Sequence, residues 1–465
     1  MLEFLNVTLK NAGKLRKYYQ NCDYRLCEYS VGVKLMWRSW LHPAFAETHG
    51  CLVVRNCIGG AYLFDYPVPG PDGDVDGALT EIERYCTQVG RRPVLSVVPE
   101  AEAADLLARY PYVRFANERV WKDYLYRRED LTAFAGRKYS GQRNHINKFR
   151  KNYPEASFIP LTQAEEPLIR QFWSDYDQVF EKTSQQARNE LSYAKKMLGQ
   201  LRRRWFCAGG LVLDGRLIAL SLAERCGDTL IIHIEKALYG YEGVYPAMVQ
   251  AFAQYYGDNA VYINREDDAC DPGLRTSKLQ YQPVHLAGKI RAEVGNELDN
   301  LTAIPALRTE RLALDALTGA DRAAYNALCL DEERNKWWGY DYRADLKGEL
   351  TEAYFLDVAA ADFKNRQAVN FAVRLDGQLI GEAVLYNFDW RGGAELGTRI
   401  APAFAHAGYG TEAFAAVAEW GLYKLHLARV VAKCYKENQA SYRMLSSCMR
   451  RSGEDETFFY FEKTV

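Results

Sequence analysis

Residues 394–425 read AELGTRI, then APAFAHA, then GYGTEAFAAVAEWGLYKL, and the rest of the chain is best understood outward from this stretch. The first seven residues are mostly apolar or β-branched and end at Ile400, which predicts a β-strand. Apolar side chains recur at helical spacing from Phe414 onward, which predicts a helix over residues 411–425. The stretch therefore predicts a strand, a glycine-containing turn and a helix.

The turn carries two glycines, Gly408 and Gly410, directly before the predicted helix. Glycine has no Cβ, so a ligand can approach its backbone N–H closely. The helix start adds unpaired N–H groups and a partial positive charge. Together these features predict that Gly408, Tyr409, Gly410 and Thr411 bind a pyrophosphate. Two glycines also occur in plain loops before helices, so on spacing alone both interpretations stay open.

Three further motifs surround this stretch. They are Thr309-Glu310-Arg311-Leu312, Leu317-Thr318 and Asn438-Gln439-Ala440-Ser441. In this order, residues 303–465 resemble the GNAT acyltransferase superfamily, nearest its branch of ribosomal-protein and peptide N-acetyltransferases. The sequence departs from the family pattern at two places. Ala405 stands at the first position of the turn motif, and Met449-Arg450 replaces the usual Gly-Phe pair.

The resemblance implies acyl transfer from acetyl-CoA, as cosubstrate, to an amine. It also assigns roles to residues. Leu396, Gly397, Thr398 and Asn438 would contact the coenzyme, and a backbone N–H of that strand would stabilise the oxyanion. Free amines of the lysine type have a pKa near ~10.4, so a base must take a proton. Glu395 or Glu382 would be this base, Ser441 would be the general acid, and the neighbouring Tyr442 is a second candidate for the acid.

Structural interpretations of the same residues stay open. Glu395 is also consistent with an outward-facing strand position, and Asn438 and Ser441 with helix capping. Four aromatic residues either line an acceptor cleft or form an ordinary core cluster: Trp337, Trp338, Tyr340 and Tyr342.

Composition limits the remaining possibilities. The 465 residues are enough for about three domains, and 48% apolar residues can fill their cores. A net charge of −1 provides no global field for nucleic acid. The 11 cysteines include no Cys-x-x-Cys pair, which favours reduced thiols and predicts no metal site. No apolar run is long enough to span a membrane and the start lacks a signal pattern, so we expect a cytoplasmic protein.

An internal repeat indicates related units. VLDGRLIA from Val212 matches RLDGQLIG from Arg374, and each Asp-Gly pair predicts a β-hairpin. Residues 51–89 follow the same order more weakly, with a hairpin split at Gly59-Gly60 and a strand over 123–127 closing that unit. We therefore predict three related units, over residues 1–130, 131–298 and 303–465.

The N-terminal units carry motifs of their own. They are Tyr124-Leu125-Tyr126-Arg127, Arg143-Asn144-His145-Ile146-Asn147, His233-Ile234-Glu235-Lys236-Ala237, Asn264-Arg265-Glu266-Asp267-Asp268, Leu274-Arg275 and Ser277-Lys278-Leu279. Residues 1–295 thereby resemble the soluble part of the phosphatidylglycerol lysyltransferase family, a tandem GNAT-like fold similar to the Fem aminoacyltransferases that use aminoacyl-tRNA. The resemblances together imply an α/β protein with mixed sheets, in which a tandem pair precedes a C-terminal GNAT domain.

Two polar features of the N-terminal half have alternative interpretations. The cluster over 264–268 follows a predicted strand and suits acid/base work or a bound amine, or else an ion-pair network. His233 and Glu235 alternate on one strand and so share a face.

A basic helix over 137–153 presents Arg143, Lys148 and Arg150 either to a tRNA backbone or to solvent.

Three functions follow for testing. The first is acetyl transfer from acetyl-CoA to a small-molecule or peptide amine by residues 303–465. The second is aminoacyl transfer from tRNA by residues 1–298, and the third is a non-catalytic scaffold or sensor.

Overall fold

A computed structural model shows an α/β protein built on three mixed sheets. The structure describes residues 2–179, 185–199, 201, 205–338, 341–344, 346 and 348–465. The chain divides into two compact units, one of residues 1–104 and 114–293 and the other of residues 105–113 and 294–465. Within the described residues, no helix has both the length and the apolar character needed to cross a membrane.

The first sheet contains the predicted hairpin split at Gly59-Gly60, which is confirmed by antiparallel pairing of its two strands. The strands of this sheet are β1 Leu5–Asn6, β2 Ala44–Thr48, β3 Cys51–Ile58, β4 Ala61–Asp65, β5 Val68–Pro69, β6 Val94–Pro99, β7 Val113–Ala116 and β15 Lys289–Val294. Their order is β1-β2-β3-β4-β6-β15-β7, with β5 beside β3.

The second sheet has the order β14-β8-β13-β12-β11-β10-β9. Its strands are β8 Asp123–Arg127, β9 Ser157–Pro160, β10 Phe206–Leu213, β11 Arg216–Cys226, β12 Thr229–Ala237, β13 Tyr262–Asn264 and β14 His285–Ala287. The predicted strand over 123–127 forms, but it pairs with β13 and β14 here and does not close the first sheet. The first sheet instead receives β15, which pairs with β6. The two sheets thus exchange a strand each.

The third sheet has the order β16-β17-β18-β19-β20-β21-β23-β22. Its strands are β16 Leu307–Arg308, β17 Leu312–Ala316, β18 Val369–Leu375, β19 Gln378–Tyr386, β20 Gly393–Ile400, β21 Arg429–Tyr435, β22 Arg450–Glu454 and β23 Phe458–Thr464. Only the β20–β21 pair is parallel among the pairs resolved in this sheet, and an intervening helix makes the crossover that such a pair requires.

The helices lie between these strands. They are α1 Ala12–Tyr19, α2 Val31–Met36, α3 Arg38–Leu41, α4 Val75–Gln88, α5 Ala103–Arg109, α6 Arg128–Ala133, α7 Ser140–Asn152, α8 Glu166–Val179, α9 Gln185–Leu198, α10 Val244–Tyr256, α11 Pro272–Gln280, α12 Arg322–Leu330, α13 Glu332–Asn335, α14 Tyr354–Lys364, α15 Tyr409–Tyr423 and α16 Gln439–Cys448. The helix predicted from the 394–425 stretch is α15, which buries Phe414 and Val417 against Leu396 of β20.

Candidate functional site

Strands β20 and β21 diverge in the middle of the third sheet. They pair in parallel only as far as Glu395 and Val431, although both strands continue beyond these residues. In the described structure, Leu396–Ile400 of β20 and Ala432–Tyr435 of β21 have no pairing with each other. We call the gap between these two segments the wedge. Because β19 pairs with β20 on its other side, half of the backbone N–H and C=O groups of β20 point into the wedge.

Side chains alternate along β20, so its two faces have different environments. Leu396 points to the apolar core on the α15 side. Thr398 lies on the same face, and its buried Oγ1 has no hydrogen-bond partner among the described residues. Gly397 lies on the opposite face, where an added Cβ would approach Trp338 to 3.2 Å. The wedge therefore offers an unsatisfied hydroxyl on one face and an aromatic cover on the other.

The glycine turn ends in the N-terminus of α15. Gly408 has φ +84°, a left-handed conformation that favours glycine, and α15 begins at Tyr409 with no side-chain cap. The first N–H groups of α15 therefore lack intrahelical partners. A Cβ on Gly410 would make only ordinary contacts, 3.5 Å from Ile400 and 3.8 Å from Met444. The fold thus does not require glycine at position 410 for steric reasons. A ligand bound close to the backbone, in contrast, would require a residue without a Cβ there.

Arg311 fixes the turn from outside, and no role had been predicted for it. Its Nη1 donates to the carbonyl of Ala407 at 3.0 Å, and its guanidinium lies 4.6 Å from the Tyr409 ring centroid. Its Nε donates to Glu412 at 2.7 Å. The turn, in which Ala405 replaces the family's polar residue, therefore still has a cation beside it. The sequence signal for this role of Arg311 was its place in the Thr309–Leu312 motif.

Glu395 lies where the wedge begins. Its carboxylate accepts hydrogen bonds from the Tyr386 hydroxyl at 2.8 Å and from Asn387 Nδ2 at 3.0 Å, and Lys433 Nζ lies 3.5 Å away. Burial, and then the nearby Glu395 charge, raise the pKa of Tyr386 far above its usual value, so its hydroxyl stays protonated and donates. These three partners fix the orientation of the Glu395 side chain, of which 12% is exposed.

Glu382, the alternative base, is held in a buried ion pair. Its side chain is 1% exposed, it pairs with Arg399 across the β19–β20 ladder, and it accepts a hydrogen bond from Tyr325 at 2.7 Å. Proton abstraction by Glu382 would neutralise one half of this buried pair, which is energetically costly. The geometry therefore favours Glu395 over Glu382.

Asn438, Ser441 and Tyr442 lie at the start of α16, with Asn438 as its N-cap. Asn438 caps this helix, because its Oδ1 accepts from the backbone N–H of Ser441 at 3.1 Å. The capping interpretation thus accounts for the Asn438 oxygen. Ser441 is half-buried in the first turn of α16, the helix that follows β21. The Tyr442 ring packs 5.0 Å from Phe459, so it contributes to the core.

Two of the four predicted aromatic residues lie at the wedge. Trp338 covers Gly397 of β20, and its ring lies 4.6 Å from the Arg399 guanidinium. Trp337 packs edge-on against Tyr435 of β21 at 5.7 Å. Tyr342 instead packs against Phe355 and Tyr354, in the cluster around α12 and α14. Tyr340 lies outside the described residues.

These features fit a coenzyme with a pyrophosphate and an extended amide-bearing arm. The uncapped start of α15 supplies N–H donors for the pyrophosphate. The unpaired edge of β20 and the Thr398 hydroxyl supply hydrogen-bonding groups for the arm.

The first unit contains a separate network of buried charges. The residues of the predicted cluster over 264–268 belong to this network, but each has different partners. Glu266 Oε1 lies 2.9 Å from His233 Nδ1, Arg265 pairs with Glu235 at 2.6 Å, and Asp268 pairs with Arg275 at 2.8 Å. His233 and Glu235 therefore have different partners. The arrangement corresponds to the ion-pair interpretation of this cluster.

Lys289 lies at the centre of this network, and no role for it was predicted from the sequence. Its Nζ lies 2.8 Å from both Glu28 and Asp123 and 3.3 Å from Asp267. Burial raises the pKa of Glu28 to about 7, against the opposing effect of the Lys289 charge. Cys27 Sγ lies 3.3 Å from the same Nζ, so the ammonium already occupies the centre of a thiol and carboxylate set that resembles metal ligands.

Comparison with known families accounts for both units. The family model for the C-terminal region of phosphatidylglycerol lysyltransferase matches residues 20–293, well over half of the chain. The chain belongs to this family. A second model, for the acetyltransferase (GNAT) domain, matches residues 311–448, which include β20, the glycine turn and α15.

Individual relatives are similar to parts of the chain. The uncharacterized N-acetyltransferase YnaD of Bacillus subtilis is 32% identical over 135 residues, 27% of this chain and 76% of its own length. The uncharacterized N-acetyltransferase YoaA of the same organism is 25% identical over 144 residues, 30% of this chain and 80% of its own length. A conserved protein of unknown function from Bacteroides thetaiotaomicron is 28% identical, with a TM-score of 0.57 over 63% of this chain and 99% of that one. The protein is an acyltransferase of mixed α/β fold.

In the lysyltransferase-family region, the basic helix forms as α7, with Ile146 and Phe149 buried. The three predicted tRNA contacts all have partners in the same unit. Arg143 donates to the carbonyls of Phe134 and Gly136, Lys148 pairs with Glu242 at 2.7 Å, and Arg150 donates to Gln250 at 3.0 Å. A tRNA backbone would therefore compete with these internal partners, and the contact stays a prediction.

Proposed function

We propose that residues 303–465 transfer an acetyl group from acetyl-CoA to an amine at the wedge. The proposal rests on one observation: β20 and β21 diverge, and α15 begins without a side-chain cap. This arrangement presents an unpaired strand edge and a set of helix N–H groups in one domain. An extended acyl-CoA requires both, one for its amide arm and the other for its pyrophosphate.

Binding and activation are assigned as follows. The N–H groups of Gly408–Thr411 receive the pyrophosphate, and the edge of β20 over Leu396–Thr398 receives the amide arm. One N–H of that edge donates to the acyl oxygen as negative charge develops on it. The Thr398 hydroxyl completes its hydrogen bonding with the arm.

Proton transfers are assigned to two side chains. Glu395 takes a proton from the acceptor ammonium, directly or through a water molecule, and leaves a neutral nucleophile. The amine nitrogen forms a bond to the acyl carbon while the carbon–sulfur bond breaks, and the extra proton that the nitrogen then carries passes to water. Ser441 gives a proton to the departing thiolate and is reprotonated from solvent. The products are an amide and the free thiol.

Trp337 and Trp338 form the acceptor side of the wedge. They lie over opposite strands beyond the point of divergence, and each ring already has a cation of the chain against it, Lys336 at Trp337 and Arg399 at Trp338, so they would contact the acceptor through apolar surface. Acceptors with a primary amine on a small molecule or a peptide suit this position.

Calorimetric titration of acetyl-CoA into the whole protein tests the binding site. Gly410→Trp places a large side chain where the pyrophosphate would bind. Gly453→Trp is the matched control, because Gly453 in the same domain has open space around its Cβ position. We expect binding to the native chain and to the control, and none to a folded Gly410→Trp variant. Binding that survives Gly410→Trp would contradict the location, and no binding to any variant would favour a scaffold or sensor.

A second candidate is aminoacyl transfer from tRNA by residues 1–298, supported by the family match over 20–293. Binding of unfractionated tRNA at low salt tests it, since phosphate contacts weaken steeply as salt rises. Substitution of Lys148 and Arg150 by glutamine should weaken the binding and reduce its salt dependence. If no tRNA binds at low salt, this candidate fails.

A further inference from the structure

Lys433 lies at the wedge, and the proposed reaction assigns no role to it. Glu395 and Val431 are partners in the parallel β20–β21 pair, so their side chains share one face of the sheet. Lys433 comes two residues after Val431 and therefore lies on the same face, in the segment of β21 that no longer pairs with β20. Its counterpart on β20 is Gly397, which contributes no side chain to this face. An amine of the chain itself thus lies beside the point of divergence.

The Lys433 ammonium is in contact with the proposed base. Its Nζ lies 3.5 Å from Glu395 Oε1 and 5.5 Å from the centre of the Phe458 ring. Tyr386 and Asn387 donate hydrogen bonds to the same carboxylate and hold it in place. The Lys433 side chain is 41% exposed, so its ammonium is accessible. Lys433 therefore occupies the position that the proposed reaction gives to the ammonium of an acceptor.

The side chain of lysine is long enough to reach an acyl group bound at the wedge. Leu396 and Gly397 directly follow Glu395 on β20, and their N–H groups are candidates for the oxyanion donor. A strand rises about 3.3 Å per residue, so these donors lie roughly 3–7 Å from Glu395 along β20. The amine of lysine stands at the end of a flexible four-carbon stem. The Lys433 Nζ can therefore meet the acyl carbon after its proton has passed to Glu395.

Two other lysines of the second unit have different partners. Lys436 directly follows β21 and pairs with Glu454 at 3.3 Å, with 34% of its side chain exposed. Lys463 of β23 pairs with Glu419 of α15 at 3.9 Å. Neither of these carboxylates lies on β20 or β21. Lys436 thus matches Lys433 in exposure and in having a carboxylate partner, and differs in which carboxylate it contacts.

We propose that Lys433 is an acetyl acceptor within the chain, modified at its Nζ by acetyl-CoA bound at the wedge. This modification rests on the proposed function of the wedge, because the same bound acetyl-CoA supplies the acetyl group. It requires no second substrate, since the amine is part of the protein.

The transfer uses groups already assigned at the wedge. A free lysine amine has a pKa near ~10.4 and carries a proton at neutral pH, so a base must take that proton. Glu395 takes it from Lys433. The neutral Nζ then bonds to the acyl carbon while the carbon–sulfur bond breaks, and the extra proton that the nitrogen carries passes to water. Ser441 gives a proton to the thiolate. The products are Nε-acetyl-lysine at position 433 and free coenzyme A.

Mass spectrometry of the full chain after incubation with acetyl-CoA tests the modification. The acetyl group of the coenzyme is deuterated, so acetyl groups acquired before purification are distinguished. At early times we expect the label on Lys433 to exceed that on Lys436 by about tenfold or more, because Glu395 activates only Lys433. The rate per chain should not depend on protein concentration, since the step is intramolecular. Equal labelling of the two lysines, or a rate proportional to protein concentration, would overturn the proposal.

Variants identify the groups that act. Glu395→Gln removes the base, so labelling of Lys433 should slow by about 10²-fold or more while labelling of Lys436 stays the same. Lys433→Arg keeps a cation beside Glu395 and should lower the early label of the whole chain by about tenfold. Lys436→Arg is the matched control and should leave the label on Lys433 unchanged. Undiminished labelling of Lys433 in Glu395→Gln would contradict transfer at the wedge.

Calorimetric titration of acetyl-CoA separates failure of this proposal from failure of the proposed function. If acetyl-CoA binds to the native chain and not to Gly410→Trp, and Lys433 gains no label, the wedge binds the coenzyme and Lys433 is not an acceptor. If acetyl-CoA binds to neither chain, the proposed function fails and the modification of Lys433 fails with it.

Discussion

Thr398 carries a buried hydroxyl without a hydrogen-bond partner among the described residues. Such a group costs about 1–3 kcal/mol until a ligand satisfies it. We expect Thr398→Val to leave the melting temperature unchanged or raise it, and to weaken acetyl-CoA binding by about tenfold. Thermal melting and calorimetry measure the two effects. A lower melting temperature with unchanged affinity would show that the hydroxyl acts only within the fold.

Glu395 is the residue on which proton transfer depends in the proposed reaction. Glu395→Gln keeps the size of the side chain and removes the base, so we expect the transfer rate to fall by about 10²–10⁴-fold. Acetyl-CoA affinity should stay the same. Rates with an amine acceptor found by screening, measured across pH, check this. Glu419→Gln, an exposed change on α15, is the control, and a comparable loss of rate there would exclude a specific role for Glu395.

At the scale of elements, the β18–β19 hairpin depends on its turn. Asp376 and Gly377 both have positive φ, +48° and +83°. Alanine is strained in that region, so Gly377→Ala should destabilise the second unit by about 1 kcal/mol or more. Gly319→Ala is the matched control and should instead increase stability, because Gly319 has open space around its Cβ position and no positive φ. Urea unfolding compares the two, and equal stability would contradict the turn argument.

The same hairpins show which elements can be predicted from sequence. Asp214-Gly215 repeats the turn of Asp376-Gly377, with φ of +50° and +76°. Turn chemistry of this kind acts within four residues, so the sequence specifies it locally. The exchange of β8 and β15 between the first two sheets was not predictable in this way. Pairing partners of short strands depend on contacts between residues distant in the chain, and β8 pairs with strands more than a hundred residues away.

The residues of the candidate sites also fall into those that local sequence predicts and those that depend on distant contacts. The glycine turn and the strand at Glu395 were visible as continuous motifs, and the structure places both in one domain. The partners of Lys289 were not visible, because Glu28, Asp123 and Asp267 come from three separate regions of the chain. A buried lysine is also indistinguishable by sequence from an exposed one. Burial of charge is a property of the assembled unit, and only the structure reveals it.

For the whole molecule, the buried charges around His233 make the stability of the first unit depend on pH. Burial alone would lower the pKa of His233, but hydrogen bonds and charge from Glu224 and Glu266 outweigh it and raise the pKa to about 9. The usual value is 6.5. A raised pKa means that the protonated ring stabilises the folded state. This stabilisation is complete below about pH 6.5 and is lost as pH rises toward about 9.

Because the chain forms two compact units, we expect two unfolding transitions by calorimetry. Raising pH from about 7.2 to about 8.2 should lower the transition of the first unit by about 1 kcal/mol more in the native chain than in His233→Gln, because this range lies below the usual pKa of thiols, so buried cysteines such as Cys22 and Cys86 contribute little. That window lies above the Glu28 pKa of about 7, so Glu28 contributes little within it. His233→Gln removes the titrating ring, and its first-unit transition should change much less across the same window. If this variant keeps the full pH dependence, or if the second unit shows the larger shift, another group is responsible and the assignment to His233 fails.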